Sequence, residues 1–277
     1  MRDKFKLAVC QLTVVDDKTV NLKQARAMIK AAAQTGGQVV VLPEMFNCPH
    51  ENKSFPVYAE TFPNGETIQM LKEAAREEKI YLIGGSIPER DRERLYNTSF
   101  VFSPSGELLG RHRKIHLFDV QLASGLSFRE SDTLAPGNTL TVVETEYCPI
   151  GVVICYDLRF PELLRLMALL GAQVIVVPAA FNMTTGPAHW EVLLRMRAVD
   201  NQVYVVGASP ARNEAASYVA YGHSLVVEPW GRVIASADEK EQIILAEIDL
   251  EHLHRVREEL PLLKHRRTDL YQLSLTF

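Results

Sequence analysis

The most reactive side chain in a telling position is a cysteine that closes an apolar run. Ile150-Gly151-Val152-Val153-Ile154 leads into Cys155-Tyr156-Asp157-Leu158-Arg159, and Pro161 then opens an apolar helical pattern. A thiol at the carboxyl end of a buried strand, beside the start of a helix, stands where an open α/β sheet places its chemistry. Free cysteine is equally a common small core residue, and position alone favours packing. For a thiol to attack a carbonyl, a base must take its proton and a positive group must hold the oxyanion. Two further strand ends carry such groups. Glu44 follows the apolar run 38–42 at Pro43, and Lys114 lies in Arg111-His112-Arg113-Lys114-Ile115-His116. Alone, the first reads as a loop carboxylate and the second as part of a solvated basic run. Residue numbers 44, 114 and 155 stand 70 and 41 positions apart, so spacing by itself does not bring them together.

The elements that must position these groups follow from periodicity. Residues 6–12 form an apolar strand. Leu22, Ala25, Ile29, Ala32 and Ala33 recur at helical spacing, with Thr19 or Asn21 as cap and Gly36-Gly37 as stop. Residues 38–42 are a second strand and 45–64 a loop. A helix around Ile68, Leu71, Ala74 and Ala75 precedes strand 80–84, and 96–102 pairs with 108–114 across Ser103-Pro104-Ser105-Gly106. The order then repeats: strand 151–155, helix 161–170, strand 173–177, a helix around Trp190 and Leu194, strand 203–207, and a hairpin at Glu228-Pro229-Trp230-Gly231. Residues 249–257 form a last helix, before a mixed tail from Leu260.

The two passes match residue for residue in places. Gly37-Gln38-Val39-Val40-Val41-Leu42-Pro43 parallels Ala172-Gln173-Val174-Ile175-Val176-Val177-Pro178, and Ile80-Tyr81-Leu82-Ile83-Gly84 parallels Val203-Tyr204-Val205-Val206-Gly207. The strands are apolar enough to be covered on both faces, so each sheet needs a helical layer and a partner sheet. A single four-layer α-β-β-α domain with pseudo-twofold halves is the expected fold, spanning 1–277 with 260–277 as a C-terminal tail. Under the duplication Cys155 aligns with Cys10, which weakens the case for a special thiol. Glu44, however, aligns with Ala179, so the copies diverge at the strand ends.

Composition excludes several classes. Hydrophobic residues make up 47% and charged ones 23%, and the formal net charge is −4 with signs interspersed, so no nucleic-acid partner is expected. Cys10, Cys48, Cys148 and Cys155 show no paired zinc spacing, and without a secretory signal they read as reduced thiols of a cytoplasmic protein. The apolar stretch 163–181 is interrupted by Arg165, Gly171 and Gln173, and reads as a buried helix running into a buried strand, with no membrane span.

Pro43-Glu44, Arg113-Lys114-Ile115-His116-Leu117-Phe118-Asp119 and Ile154-Cys155-Tyr156-Asp157-Leu158-Arg159-Phe160-Pro161-Glu162 resemble the three signature motifs of the nitrilase, or carbon–nitrogen hydrolase, superfamily, in that family's order. The resemblance covers nearly the whole chain. It implies the same sandwich fold and a Glu44-Lys114-Cys155 triad, and it places a second family glutamate at Glu130. Ala180-Phe181-Asn182-Met183-Thr184-Thr185-Gly186-Pro187-Ala188-His189-Trp190-Glu191 and Arg197-Ala198-Val199-Asp200-Asn201-Gln202 look most like the omega-amidase branch. By that resemblance Arg159, Phe181 and Thr185 receive the carboxylate and keto-acid end of the substrate. Guanidinium chemistry suits such a role for Arg159, the alternative being an ion pair with Asp157 or Glu162. Trp190 and Leu194 read as core.

The expected reaction is hydrolysis of the terminal amide of 2-oxoglutaramate or 2-oxosuccinamate through a Cys155 thioester. Glu44 serves as base, while Lys114 and the Tyr156 N–H serve as oxyanion donors. No metal or organic cofactor is required. Action on deaminated glutathione or an N-carbamoyl compound is the nearer alternative, and a non-catalytic binding role the further one. A homodimer is a further expectation of the resemblance.

Overall fold

The computed structural model describes residues 3–121, 125 and 127–275. Met1 and Arg2 of the N-terminal segment, and Thr276 and Phe277 of the expected tail, lie outside the described residues. The first half runs β1 (Lys4–Gln11), α1 (Lys18–Gln34), β2 (Val39–Val41), α2 (Phe55–Tyr58), α3 (Glu66–Glu78), β3 (Tyr81–Ile83), β4 (Ile87–Asp91), β5 (Arg94–Phe102) and β6 (Leu108–Arg113). A small ribbon of β7 (Asp119–Gln121) and β8 (Ser127–Arg129) follows. β9 (Thr141–Val143) closes the first half, and the second half runs β10 (Ile150–Val152), α4 (Pro161–Leu169), β11 (Val174–Pro178), α5 (Gly186–Asn201), β12 (Tyr204–Ala208), β13 (Leu225–Val227), β14 (Val233–Ser236), β15 (Gln242–Asp249) and α6 (Leu250–Glu259).

Two sheets form, in the orders β15-β1-β2-β3-β5-β4, with β6 also paired to β5, and β14-β13-β12-β11-β10-β9. Their centres are copies. Leu7 stands opposite Val39 and Val39 opposite Tyr81, as Ile150 stands opposite Val174 and Val174 opposite Tyr204, all in parallel register. Strand side chains alternate between faces, which separates the core into layers. Leu7, Val9, Val39 and Val41 meet Ile150, Val152, Val174 and Val176 between the sheets. Ala8, Cys10 and Val40 turn the other way, onto Leu22, Ile29 and Leu71 of α1 and α3. Ile175, Val177 and Val205 turn onto Leu164, Met167, Trp190 and Leu194 of α4 and α5. The result is the α-β-β-α sandwich that doubly apolar strands require.

Each half gives its last strand away. β9 follows the first hairpin in the chain but pairs antiparallel with β10 of the second sheet, and β15 follows the second hairpin but pairs antiparallel with β1 over its whole length, from Lys4 opposite Asp249 to Gln11 opposite Gln242.

Differences from the sequence reading are local. Helix α1 begins one turn earlier than its apolar stripe, so its cap is neither Thr19 nor Asn21. Asp17 caps it, accepting from Val20 N at 3.1 Å. Asn21 is instead buried inside the first turn, where its amide exchanges hydrogen bonds with the Val15 backbone at 2.9 and 2.7 Å. Loop 45–64 contains the short α2, and β4, β7, β8, β9 and β15 join the elements that periodicity gives. Strand β10 stops at Val152, three residues before Cys155.

Candidate active site

The strand ends place Glu44, Lys114 and Cys155 together. Glu44 comes just after β2 and Lys114 directly after β6, whose register is fixed by the Lys114 N–H donating to the Asn97 carbonyl at 2.8 Å. Cys155 opens a single 3-10 turn, Cys155–Arg159, and sits at φ +46°. That left-handed backbone is rare for any residue with a Cβ and must be held by its surroundings. Asp157 supplies the hold. Its buried carboxylate accepts from Ile154 N at 3.1 Å and His116 N at 2.8 Å, and it bonds the rings of His116 at 2.8 Å and His112 at 3.2 Å. The turn carrying the thiol is thereby pinned to the segment that follows Lys114. Burial would raise the Asp157 carboxyl, but the two histidines and the backbone donors hold it well below the usual carboxylate range.

Lys114 is 1% exposed, and its ammonium donates to Glu44 Oε1 at 3.0 Å and Glu130 Oε1 at 2.8 Å. Glu44 also accepts from Asn97 Nδ2 at 2.8 Å on Oε1 and from Ala180 N at 2.8 Å on Oε2, and the Cys155 thiol lies close enough to act on its charge. Glu130 begins a short turn after β8 and accepts from Phe118 N at 2.7 Å. Burial favours the neutral form of every group here, yet charge decides differently for each. Against burial, Lys114 and its hydrogen bonds hold the Glu44 carboxyl below its ordinary value. Burial, with repulsion from Glu44, leaves the Glu130 carboxyl above it despite the same lysine. Against burial again, the two carboxylates push Lys114 well up. Burial and Glu44 together push the Cys155 thiol well up. At rest the group is therefore a neutral thiol beside an ionised carboxylate and a fixed ammonium. An ionised base beside a nucleophile, with a cation alongside, is an arrangement for attack on a carbonyl. Cys155 and Tyr156 head the 3-10 turn, and the first N–H groups of a helical turn are the ones it leaves without internal partners.

Cys10, aligned with Cys155 by the duplication, lies fully buried in β1, and burial alone pushes its thiol up to about 12. Among the described residues no carboxylate or ammonium acts on it. Glu44, His50 and Glu130 have donor atoms within 4.8 Å of one another, close enough to suit a metal, but the Lys114 ammonium already bonds both carboxylates.

A small cavity opens over the thiol, lined by Lys114, Cys155, Tyr156, Arg159, Phe181 and Thr185, among others. Arg159 lies over the Phe181 ring at 4.9 Å and the Tyr156 ring at 5.8 Å, and among the described residues its one polar side-chain partner is His189 Nδ1 at 3.1 Å. Neither Asp157 nor Glu162 lies within 4.0 Å of its guanidinium. Asp157 is taken by the histidines, and Glu162 points outward from α4. Phe181 is buried against Trp190 with ring centres 4.9 Å apart, and Thr185 donates from both N–H and hydroxyl to Asn182 Oδ1 at 2.9 and 3.2 Å. The structure thus brings together all eight residues singled out in the sequence. It adds Asn97, Asp157, His50 and Tyr218. Asn97 is one more polar residue of an ordinary strand and gives no signal, whereas Asp157 stands inside the Cys155 motif and was open to notice as a buried-turn carboxylate.

A larger cavity adjoins the first on the Glu44 side. Only His50, Ala180 and Tyr218 line both.

The model for carbon-nitrogen hydrolase matches residues 6–258. The chain belongs to the carbon–nitrogen hydrolase family. It is 56% identical over 271 residues to omega-amidase NIT2 of Xenopus tropicalis and 52% identical over 271 residues to omega-amidase NIT2 of Homo sapiens, covering 98% of both chains in each case. Among solved structures it resembles Nit3 of Saccharomyces cerevisiae, described as a member of branch 10 of the nitrilase superfamily. That match has a TM-score of 0.89 and 46% identity, over 96% of this chain and 97% of that one. This carbon–nitrogen hydrolase shares with that structure the four-layer fold described above.

Proposed function

We propose that this carbon–nitrogen hydrolase is an omega-amidase, cleaving the terminal amide of 2-oxoglutaramate and 2-oxosuccinamate to the 2-oxo dicarboxylate and ammonia. The observation that carries the reading is one cavity with the thiol and the ammonium at one end, the base bonded to that ammonium, and at the other end a guanidinium that has no carboxylate partner among the described residues. The full-length likeness to two NIT2 omega-amidases supports it.

In the proposed mechanism Glu44 takes the Cys155 proton as the sulfur attacks the amide carbon. Lys114 and the Tyr156 N–H receive the tetrahedral oxyanion, a kind of donor worth roughly 3 kcal/mol each. The C–N bond breaks, ammonia leaves with the proton held by Glu44, and a thioester remains on Cys155. Water then gives a proton to Glu44 and adds to the thioester; the C–S bond breaks, the acid departs, and the thiol is re-formed. Glu130 keeps Lys114 in place and balances its charge. Arg159 forks onto the distal carboxylate while Phe181 and Thr185 bound the chain of the substrate.

Ammonia release from 2-oxoglutaramate, deaminated glutathione and an N-carbamoyl amino acid, compared at equal enzyme concentration, tests the assignment. Were 2-oxoglutaramate the poorest of the three, the omega-amidase reading would fall. Acid-quenched mass spectrometry tests the mechanism, which requires an acyl adduct in the wild type that is missing in Cys155→Ala.

We further propose a single catalytic domain with residues 260–277 as its tail, a cytoplasmic location and a homodimer. All four cysteines are free, which fits a reducing compartment. Among the described residues no helix is long and apolar enough to cross a membrane. Leu262, Leu270 and Tyr271 of the tail, and Val192, Met196 and Trp230 around α5, leave apolar surface that a second subunit would cover.

A further inference from the structure

The two cavities that meet at Glu44 divide the reaction spatially. Once the substrate is esterified to Cys155, its acyl chain fills the smaller cavity, between the sulfur and Arg159. Water for the second half-reaction then has the larger cavity open to it. That cavity is lined by Glu44 but does not include Cys155 in its walls. The wall common to both is His50, Ala180 and Tyr218. Ala180 has no polar side chain, and the Tyr218 hydroxyl is committed to the Ala180 carbonyl at 2.6 Å. His50 alone on this wall has polar capacity to spare: its Nδ1 is buried without a hydrogen-bond partner. A buried polar atom in a reaction cleft requires a hydrogen-bond partner, and here water is the one at hand.

Distance narrows the assignment. A ring nitrogen of His50 lies within 4.8 Å of a Glu44 carboxylate oxygen. One water held at about 2.8 Å from each of two partners, with a near-tetrahedral angle, spans about 4.6 Å. We propose that His50 is a positioning residue for thioester hydrolysis, holding the attacking water against Glu44 at the mouth of the larger cavity. Glu44 takes one water proton as the oxygen forms its bond to the thioester carbon, and His50 accepts the second O–H as a hydrogen bond, without taking the proton. The C–S bond then breaks and the proton on Glu44 returns to the sulfur. Burial brings His50 down to about 4, so at neutral pH its ring is uncharged and keeps a lone pair for this contact. The ring is held by Tyr218 at 4.5 Å and by Phe55 and Phe128 at 5.7 Å, so it is oriented before water arrives.

The inference rests on the thioester reading above, and the test separates the two. His50→Phe keeps the aromatic contacts and removes both nitrogens. Rapid-quench ammonia measurements with 2-oxoglutaramate should show a burst approaching one equivalent per site, at a rate within about twofold of wild type. Turnover afterwards should be at least about tenfold slower, with acyl-enzyme accumulating by mass spectrometry. Hydroxylamine, a stronger nucleophile than water, should accelerate that slow phase more in the variant than in wild type. His50→Gln, which restores a hydrogen-bonding group, should recover part of the turnover and guards against a packing defect in the first variant. Unchanged turnover in His50→Phe overturns the proposal, as does slowing of the burst by as much as the turnover. Absence of any ammonia from wild type would instead remove the amidase reading, and this inference with it.

Discussion

Replacing Asp157 by Asn probes the hold on the nucleophile without touching the nucleophile. The carboxylate is fully buried and accepts from two backbone N–H groups and two imidazoles at 2.8 to 3.2 Å. Hydrogen bonds to a charged acceptor are worth about 1.5–3 kcal/mol each, against about 0.5–1.5 for neutral ones, and an amide also turns an NH2 toward donors. Weakening the set and setting donor against donor in one place should cost about 3–5 kcal/mol. For a chain of this size that lowers Tm by roughly 5–9 °C, readable by circular dichroism. Because the turn at φ +46° loses its tie, kcat should fall at least tenfold with KM nearly unchanged, a loss expected of a misplaced nucleophile. The sign with pH is fixed. A depressed native pKa stabilises fully above the unfolded value near 3.9, and that stabilisation declines as pH falls toward the native value. The gap between wild type and variant should thus narrow by about 1 kcal/mol at pH 3. A variant with Tm within 2 °C and kcat within twofold of wild type, as order-of-magnitude thresholds, would refute the account of Asp157 as a clamp.

Arg159→Gln should raise KM for 2-oxoglutaramate about 10- to 100-fold with kcat largely kept, since the lost contact is to the distal carboxylate. A similar loss with an uncharged amide substrate would contradict that. With Glu44 held below its ordinary range and the thiol held above it, kcat/KM should be flat on the acid side down to about pH 5 and fall only below. An acid limb near pH 6.5 would show that another group is the base. Trp230→Glu, on the exposed patch beside α5, should halve the mass seen by light scattering if that face joins two subunits. An unchanged mass moves the interface elsewhere.

The layers were legible because the strands carry apolar side chains on both faces, a pattern only a doubly covered sheet can satisfy. The internal repeat was legible because the same parallel register, Leu7 to Val39 and Ile150 to Val174, is built from the same residue types. Short edge elements such as β4 and β9 were not, because three to five residues of mixed polarity carry no period. The cap of α1 was missed because Asp17 lies one turn outside the apolar stripe. At the site, Glu44, Lys114 and Cys155 stood out through their motifs, while the backbone at Cys155 did not. A cysteine after a β-branched run reads as strand, and only the Asp157 carboxylate, reaching back to Ile154 N, turns the chain instead. His50 and Asn97 had no signal at all. Their importance comes from neighbours distant in the chain, Tyr218 beside His50 and Glu44 beside Asn97, which is a property of the folded contacts.

The strands that each half lends the other have a consequence for how this molecule can be divided. Cut between β9 and β10, the N-terminal fragment would expose the edge of β1 where β15 belongs, and the C-terminal fragment would expose the edge of β10. Bare apolar edges of that length aggregate. Neither fragment is a closed body, yet each carries the strand the other lacks. Two fragments produced together have a reason to find each other that neither has to stay soluble alone. A single repeat would have met the same difficulty and the same remedy, by exchanging its final strand with an identical copy. The present chain is that reciprocal pair written once, and the catalytic groups lie along the seam where the partners became one.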